Sequence, residues 1–317
     1  MNAQIVRLVL ARLGVAAVTL LIVSFVVFAA TQMLPGDVAE ILLGQAATPE
    51  AVAGLRTAMH LDDPALVQYA KWVLGFVTGD LGTSYGSNMP VADMIVTRFQ
   101  NTLVLAATTS IVAVPLALTL GILAATYRGS LFDRALTAGV VSAISVPEFL
   151  IATLAVLIFA VWLRWLPALS FANDVTSFGQ WLHIIAMPLI TLTGVISAQM
   201  IRMTRAAVID TLDAPYVEMA LLKGASRSRL VLRHALPNAA GPIANAVALS
   251  LSYLLGGVII VETIFNYPGI AKLMVDGVAT RDLPLIQACT MIFCLGYLIL
   301  ITAADILAIV ANPRLRT

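Results

Sequence analysis

Apolar residues come in long runs along this chain, and polar residues gather between them. The runs cover 13–34, 103–127, 135–163, 183–201, 239–261 and 285–311. Several reach or exceed the roughly 20 residues that a helix needs to cross about 30 Å of hydrocarbon. A helix satisfies its own backbone N–H and C=O groups, so unbroken apolar runs of this length predict membrane-spanning helices. The first run is too long for the apolar core of a signal peptide, and no convincing small-x-small cleavage site follows it. It reads as an uncleaved first span. The expectation is an all-α polytopic membrane protein with six transmembrane helices, one domain over 1–317.

Two of the polar segments carry elements of their own. In 35–102, Thr48-Pro49-Glu50 pairs an N-cap with a proline suited to the first helical position, which predicts a helix to about His60. Asp63-Pro64 repeats the signal, and Gly79 closes the second helix. This segment is predicted to be a small helical subdomain. In 202–238, Asp213 and Pro215 open a short helix that Gly224 ends; Ser226 then caps a second, and Pro237 stops it. Tyr216, Met219, Ala220 and Lys223 share one face of the first helix. Such an elbow offers a protruding knob to another protein.

Composition agrees with this reading. Of 317 residues, 60% are hydrophobic and 11% charged, against roughly 25% charged in an ordinary soluble domain. The net charge of +1 says little, but its distribution orients the chain. The segments before the first span, at 128–134, at 202–238 and at 312–317 hold 12 of the 18 Lys and Arg and four acids. The alternate segments hold six basic and ten acidic residues. Basic residues stay inside, so both termini are expected in the cytoplasm and 35–102 outside it.

The segment Tyr216-Val217-Glu218-Met219-Ala220-Leu221-Leu222-Lys223-Gly224, with Leu236-Pro237 following, resembles the coupling loop of ABC importer permeases. Met219 replaces the first Ala of the family's Glu-Ala-Ala, and His234 stands where Ile is usual. Further segments are similar to the dipeptide, oligopeptide and nickel branch: Leu34-Pro35-Gly36-Asp37, Gly79-Asp80-Leu81-Gly82-Thr83-Ser84, Val261-Glu262-Thr263-Ile264-Phe265, Tyr267-Pro268-Gly269 and Asn312-Pro313-Arg314-Leu315-Arg316. The large outer loop resembles that of one of the branch's two permease types.

The resemblance implies the type I importer fold in a bacterial inner membrane. It also implies a heterodimer with a second homologous permease, two cytoplasmic ATPases and an extracytoplasmic binding protein. Peptides are the expected cargo, with nickel chelates, opines or small glycans as alternatives. The ATPase-coupling residues it implies are Tyr216, Glu218, Met219, Ala220, Lys223, Gly224, Leu236 and Pro237.

Little in the chain suggests chemistry of its own. No Gly-Lys-Ser or Gly-Lys-Thr follows a glycine-rich loop, so ATP and Mg are expected on partner subunits and no cofactor on this one. His60, His183 and His234 have no ligand spacing, and Cys289 and Cys294 lie five apart on different helix faces, so no metal site or disulfide is expected. A hydrolase would need a nucleophile beside a base, and no such motif occurs. A proton-coupled secondary transporter could use acids within spans, but it would leave the 202–238 elbow without a purpose. Lipid is an expected partner and nucleic acid is not. Glu262 and Asp305 lie towards run ends, where pairing is easy. Glu148 follows Pro147 inside a run with no basic residue, and it is the candidate for a pathway-facing acid that attracts the amino terminus or a cationic group of the substrate, the alternative being that the Pro-Glu pair marks a re-entrant bend or an inter-helix contact.

Overall fold

A computed structural model describes residues 3–33, 36–59, 61–170 and 176–311. Leu34, Pro35, His60 and the closing 312–316 segment lie outside the described residues. Thirteen α-helical segments account for most of the described chain. They are α1 Ala3–Gln32, α2 Val38–Leu43, α3 Pro49–Ala58, α4 Ala65–Thr78, α5 Val91–Thr126, α6 Leu131–Ser145, α7 Glu148–Ala155, α8 Phe178–Leu212, α9 Pro215–Leu222, α10 Arg227–Arg229, α11 Leu236–Ile264, α12 Ile270–Thr280 and α13 Leu283–Ala311. Among the described residues, five helices are long and apolar enough to cross a membrane, and six if the bent pair α6–α7 counts as one span.

The chain divides into two compact units. One takes its described residues from Met1–Gly14, Leu103–Tyr267 and Tyr297–Thr317, the other from Val15–Thr102 and Pro268–Gly296. In the first unit α8 packs against α6, α7 and α11. It is also the most enclosed of the five long helices, with Met187, Leu192, Ile196, Met200 and Val208 buried. Gly121 on α5 permits a close approach to α8, since a Cβ there would stand 2.9 Å from Thr204 Cβ and 3.0 Å from the Ile201 carbonyl oxygen. Small residues at such crossings let apolar helices touch backbone to side chain where no water drives association.

The 135–163 run is not one straight helix. It breaks between α6 and α7 with a bend of 103°. Pro147 has no N–H to continue the ladder, and it forces Val146 out of the helical region to φ −94°, ψ 129°. The run then closes in a π-helical stretch, Val156–Trp162.

The second unit contains the 35–102 segment. Thr48 accepts from the Ala51 N–H at 3.2 Å, which caps α3. Asp37 caps α2 through the Ala39 N–H at 2.8 Å and also pairs with Arg56. Asp63 binds Lys71 at 2.8 Å instead of acting through its position alone, and helix α4 begins one residue beyond Pro64. Tyr69 on α4 packs edge-on against Phe25 and Phe28 of α1, with ring centroids 5.9 and 5.4 Å away, and its hydroxyl meets Ser24 Oγ at 2.8 Å. Gly79 then ends α4 at φ 87°.

The Gly79–Ser84 segment has a structural purpose here. Ser84 Oγ donates to Asp282, which also accepts from the Gly86 N–H at 3.2 Å. A core of Val91, Ile95, Ile270, Leu273, Leu285, Ala288 and Cys289 lies in the same unit. Asn101 Nδ2 donates to the Pro268 carbonyl at 2.8 Å, and Thr102 Oγ1 accepts from the Ile270 N–H at 2.9 Å.

Candidate coupling elbow and charged cleft

The elbow begins where α8 ends. Asp213 does not cap α9. It closes α8 and binds Arg128 Nη1 at 3.0 and 3.2 Å, while Ala214 precedes Pro215 at the first position of α9. The carboxylate therefore ties the α8 end to the 128–130 turn.

Helix α9 ends in a paired-carbonyl cap. The Ala225 N–H donates to the Ala220 carbonyl at 3.2 Å and the Gly224 N–H to the Leu221 carbonyl at 2.9 Å. This arrangement needs a left-handed residue at Gly224, whose φ is 83°. No side chain crowds the position, because nothing lies within 4 Å of an added Cβ. The glycine serves the backbone bend alone.

Val217 anchors α9, being buried at 3% exposure, while Tyr216 and Met219 are 46% and 55% exposed. Lys223 is exposed on the same side and Ala220 is half-buried. Glu218 is exposed at the edge of a cleft of about 580 Å³ that Arg128, Asp213, Val217 and Leu230 also line. Six of the eight expected coupling residues, Tyr216 to Gly224, therefore belong to one short helix and its cap.

Leu236 and Pro237 lie elsewhere. Pro237 does not stop a second elbow helix. From Arg227 the chain runs as α10, a π-helical stretch Leu230–Ala235, and then α11. The wide π turn, marked by the Leu236 N–H on the Val231 carbonyl, shifts the hydrogen-bond register just before Pro237. Asn238 Nδ2 then takes the His234 carbonyl at 2.7 Å. Proline is thus accommodated in the first turn of α11, where its missing N–H is tolerated. Leu236 packs against the cluster of Ala125, Val208 and Ala239 rather than joining the exposed knob.

Glu148 opens α7 directly after the bend. It lines a cleft of about 380 Å³ with Leu192, Gln199, Arg202, Tyr253 and Gly257. A Cβ at Gly257 would stand 3.1 Å from Glu148 Oε2 and 3.3 Å from Leu192 Cδ2, so the glycine leaves room for the carboxylate. Among the described residues Glu148 has no hydrogen bond or ion pair. Sequence reasoning missed Arg202, Gln199 and Tyr253. The available signal was the spacing of residues 192, 195, 196, 199 and 202, which places them on one face of α8.

The other acids near run ends differ from each other. Asp305 pairs with Arg12 at 3.2 Å. Glu262 is fully buried beside the turn at Asn266, where the Tyr267 N–H donates to the Glu262 carbonyl at 2.9 Å. Among the described residues no group of three or more His, Cys, Asp or Glu could hold a metal ion.

Known families account for nearly the whole chain. Residues 117–317 match the binding-protein-dependent transport system inner membrane component family, and residues 5–106 match the N-terminal region of such membrane components. A glutathione transport system permease protein from Escherichia coli O6:H1 is 39% identical over 298 residues, covering 94% of this chain and 95% of the relative. Proteins of the same name from Escherichia coli K12 and Shigella dysenteriae are 38% identical with the same coverage. The chain belongs to the binding-protein-dependent transport system inner membrane components, as the non-catalytic permease of an ABC importer that works with an ATPase and a binding protein.

Proposed function

We propose that this permease pairs with a second, homologous permease, each forming half of one pathway for di- or oligopeptides. The 214–236 loop couples the pair to two cytoplasmic ATPases, and both termini face the cytoplasm. The observation that carries the coupling reading is α9 itself. It buries Val217 while leaving Tyr216 and Met219 exposed, and its left-handed cap at Gly224 turns the chain sharply. A rigid helix held this way can follow an ATPase surface between discrete positions and move the inner ends of α8 and α11 with it.

Peptide cargo is supported by the branch-specific segments and by the relatives named for transport of glutathione, a peptide. The cytoplasmic termini are supported by the excess of Lys and Arg in alternate segments.

The test is uptake by proteoliposomes holding both permeases and both ATPases, supplied with the binding protein and labelled di- and tripeptides. Uptake should follow ATP inside the vesicle and survive a protonophore. Collapse with the protonophore while ATP remains would favour a proton-coupled transporter. Competition by nickel chelates, opines or small glycans, without competition by peptides, would move the cargo to those classes.

A further inference from the structure

The cleft of about 380 Å³ in the first unit presents two opposite charges that do not meet. Glu148 stands at one end, against Gly257 and Leu192. Arg202 lines the same cleft from α8, ten residues beyond Leu192, which is about 15 Å of helical rise from that residue. Among the described residues, the Arg202 guanidinium is engaged only by its neighbour Gln199, whose Oε1 accepts from Nη2 at 3.0 Å. Glu148 is half-buried, and an acid held unpaired among apolar helices is costly. Arg202 is exposed at the other end of the cleft.

We propose that this cleft between α7, α8 and α11 is a two-pole site for a short zwitterionic peptide, whose ammonium meets Glu148 and whose terminal carboxylate meets Arg202. The proposal deepens the peptide-import reading and rests on it. Length supports the match. An extended peptide covers at most about 3.3–3.6 Å per residue, so three or four residues reach about 10–14 Å, and the Arg202 side chain closes the remainder. The volume lies within the usual range of small-molecule pockets, about 300–1,000 Å³. Chemistry supports the polarity, because a guanidinium matches a carboxylate through two parallel N–H donors and a lone carboxylate suits an ammonium.

The walls between the poles favour backbone over side-chain recognition. Leu192, Val195 and Ile196 supply apolar surface, while Tyr253, 62% exposed, stands across from them on α11. Gln199 is the one amide in the lining, placed between the poles along α8. Such a site reads the two ends of a peptide and tolerates variety between them, which suits a pathway that must release what it holds.

The test uses the whole transporter in proteoliposomes, with four forms of one labelled tripeptide: free, amino-acetylated, carboxy-amidated and doubly blocked. Glu148→Gln should lower uptake of peptides with a free amino terminus about tenfold and leave the acetylated forms unchanged. Arg202→Gln should do the same for free against amidated carboxyl ends. Glu148→Asp should keep the amino-terminal preference, which separates charge from folding. ATPase activity and assembly on size-exclusion chromatography report whether each variant is intact.

Equal losses for all four forms, or no losses, would overturn the two-pole site while leaving peptide import standing. A wild-type transporter that imports none of the four would overturn the peptide reading and this inference together.

Discussion

Arg205 on α8 holds Asp133 on α6 through two parallel contacts, Nε to Oδ1 at 2.6 Å and Nη2 to Oδ2 at 2.9 Å. Asp133 is nearly fully buried, and its second oxygen also accepts from the Gly129 N–H at 2.9 Å. The pair locks the start of α6 to the C-terminal part of α8, the helix that leads into the 214–236 elbow. Removing one partner strands the other. Arg205→Ala should cost about 3–5 kcal/mol, the range for breaking a buried pair, read as a lower thermal midpoint of the detergent-solubilised protein. Arg205→Lys should recover only part of it, because an ammonium lacks the planar fork. An unchanged midpoint in Arg205→Ala would show that α6 is held by packing alone.

Gly224 separates backbone strain from crowding. With open space around its Cβ position and a φ of 83°, Gly224→Val should cost about 1–2 kcal/mol of left-handed strain and no clash. The cap then rearranges and the elbow changes angle. The variant should insert in the membrane but lose its ATPases or substrate-stimulated ATP hydrolysis. Gly224→Asn should keep most of that stimulation, since asparagine tolerates the left-handed region. Normal stimulation in Gly224→Val would remove the coupling role from the bend.

At Gly121 the constraint is steric. Gly121→Leu drives side-chain atoms into the Ile201 carbonyl and Thr204 across the α5–α8 approach, and backbone on one side leaves little room to yield. The helices must separate, at about 1–3 kcal/mol. Thermal unfolding in detergent should show this loss, and Thr204→Gly in the same protein should restore part of it.

The Asp37–Arg56 pair gives the 36–62 segment a defined acid response. Burial pushes the Asp37 carboxyl up, but donation from Arg56 and from the Ala39 N–H outweighs it, and the net shift is downward. Folding therefore favours the ionised form. Its contribution is complete above the unfolded aspartate value of about 4 and fades as pH falls through the lower folded value. Protease sensitivity of the segment should stay flat from neutral pH to about 5 and rise below about 4. Arg56→Ala should raise it at neutral pH and flatten the acid response.

Much of the architecture was legible in the sequence because it depends on local chemistry. Uncharged runs of about 20 residues leave helix as the only economical answer in hydrocarbon, and α1, α5, α8, α11 and α13 cover five of the six runs. Thr48, Gly79 and Gly224 act within a few residues of themselves, and each stands in the cap or turn that its type predicts. Pro147 also breaks the third run where it stands.

Other features depended on distant residues. Asp213 has the composition of an N-cap, yet Arg128, 85 positions away, claims its carboxylate. Pro237 has the composition of a helix stop, yet the π turn before it absorbs the missing donor and the helix continues. Glu148 was visible as an isolated acid, but that it shares a cleft with Arg202 emerged only when α7, α8 and α11 packed together. Local rules determined where helices form, bend and cap. Which charges are paired and which are left facing a cavity was decided by packing, because burial and partnership arise only when separate helices come together.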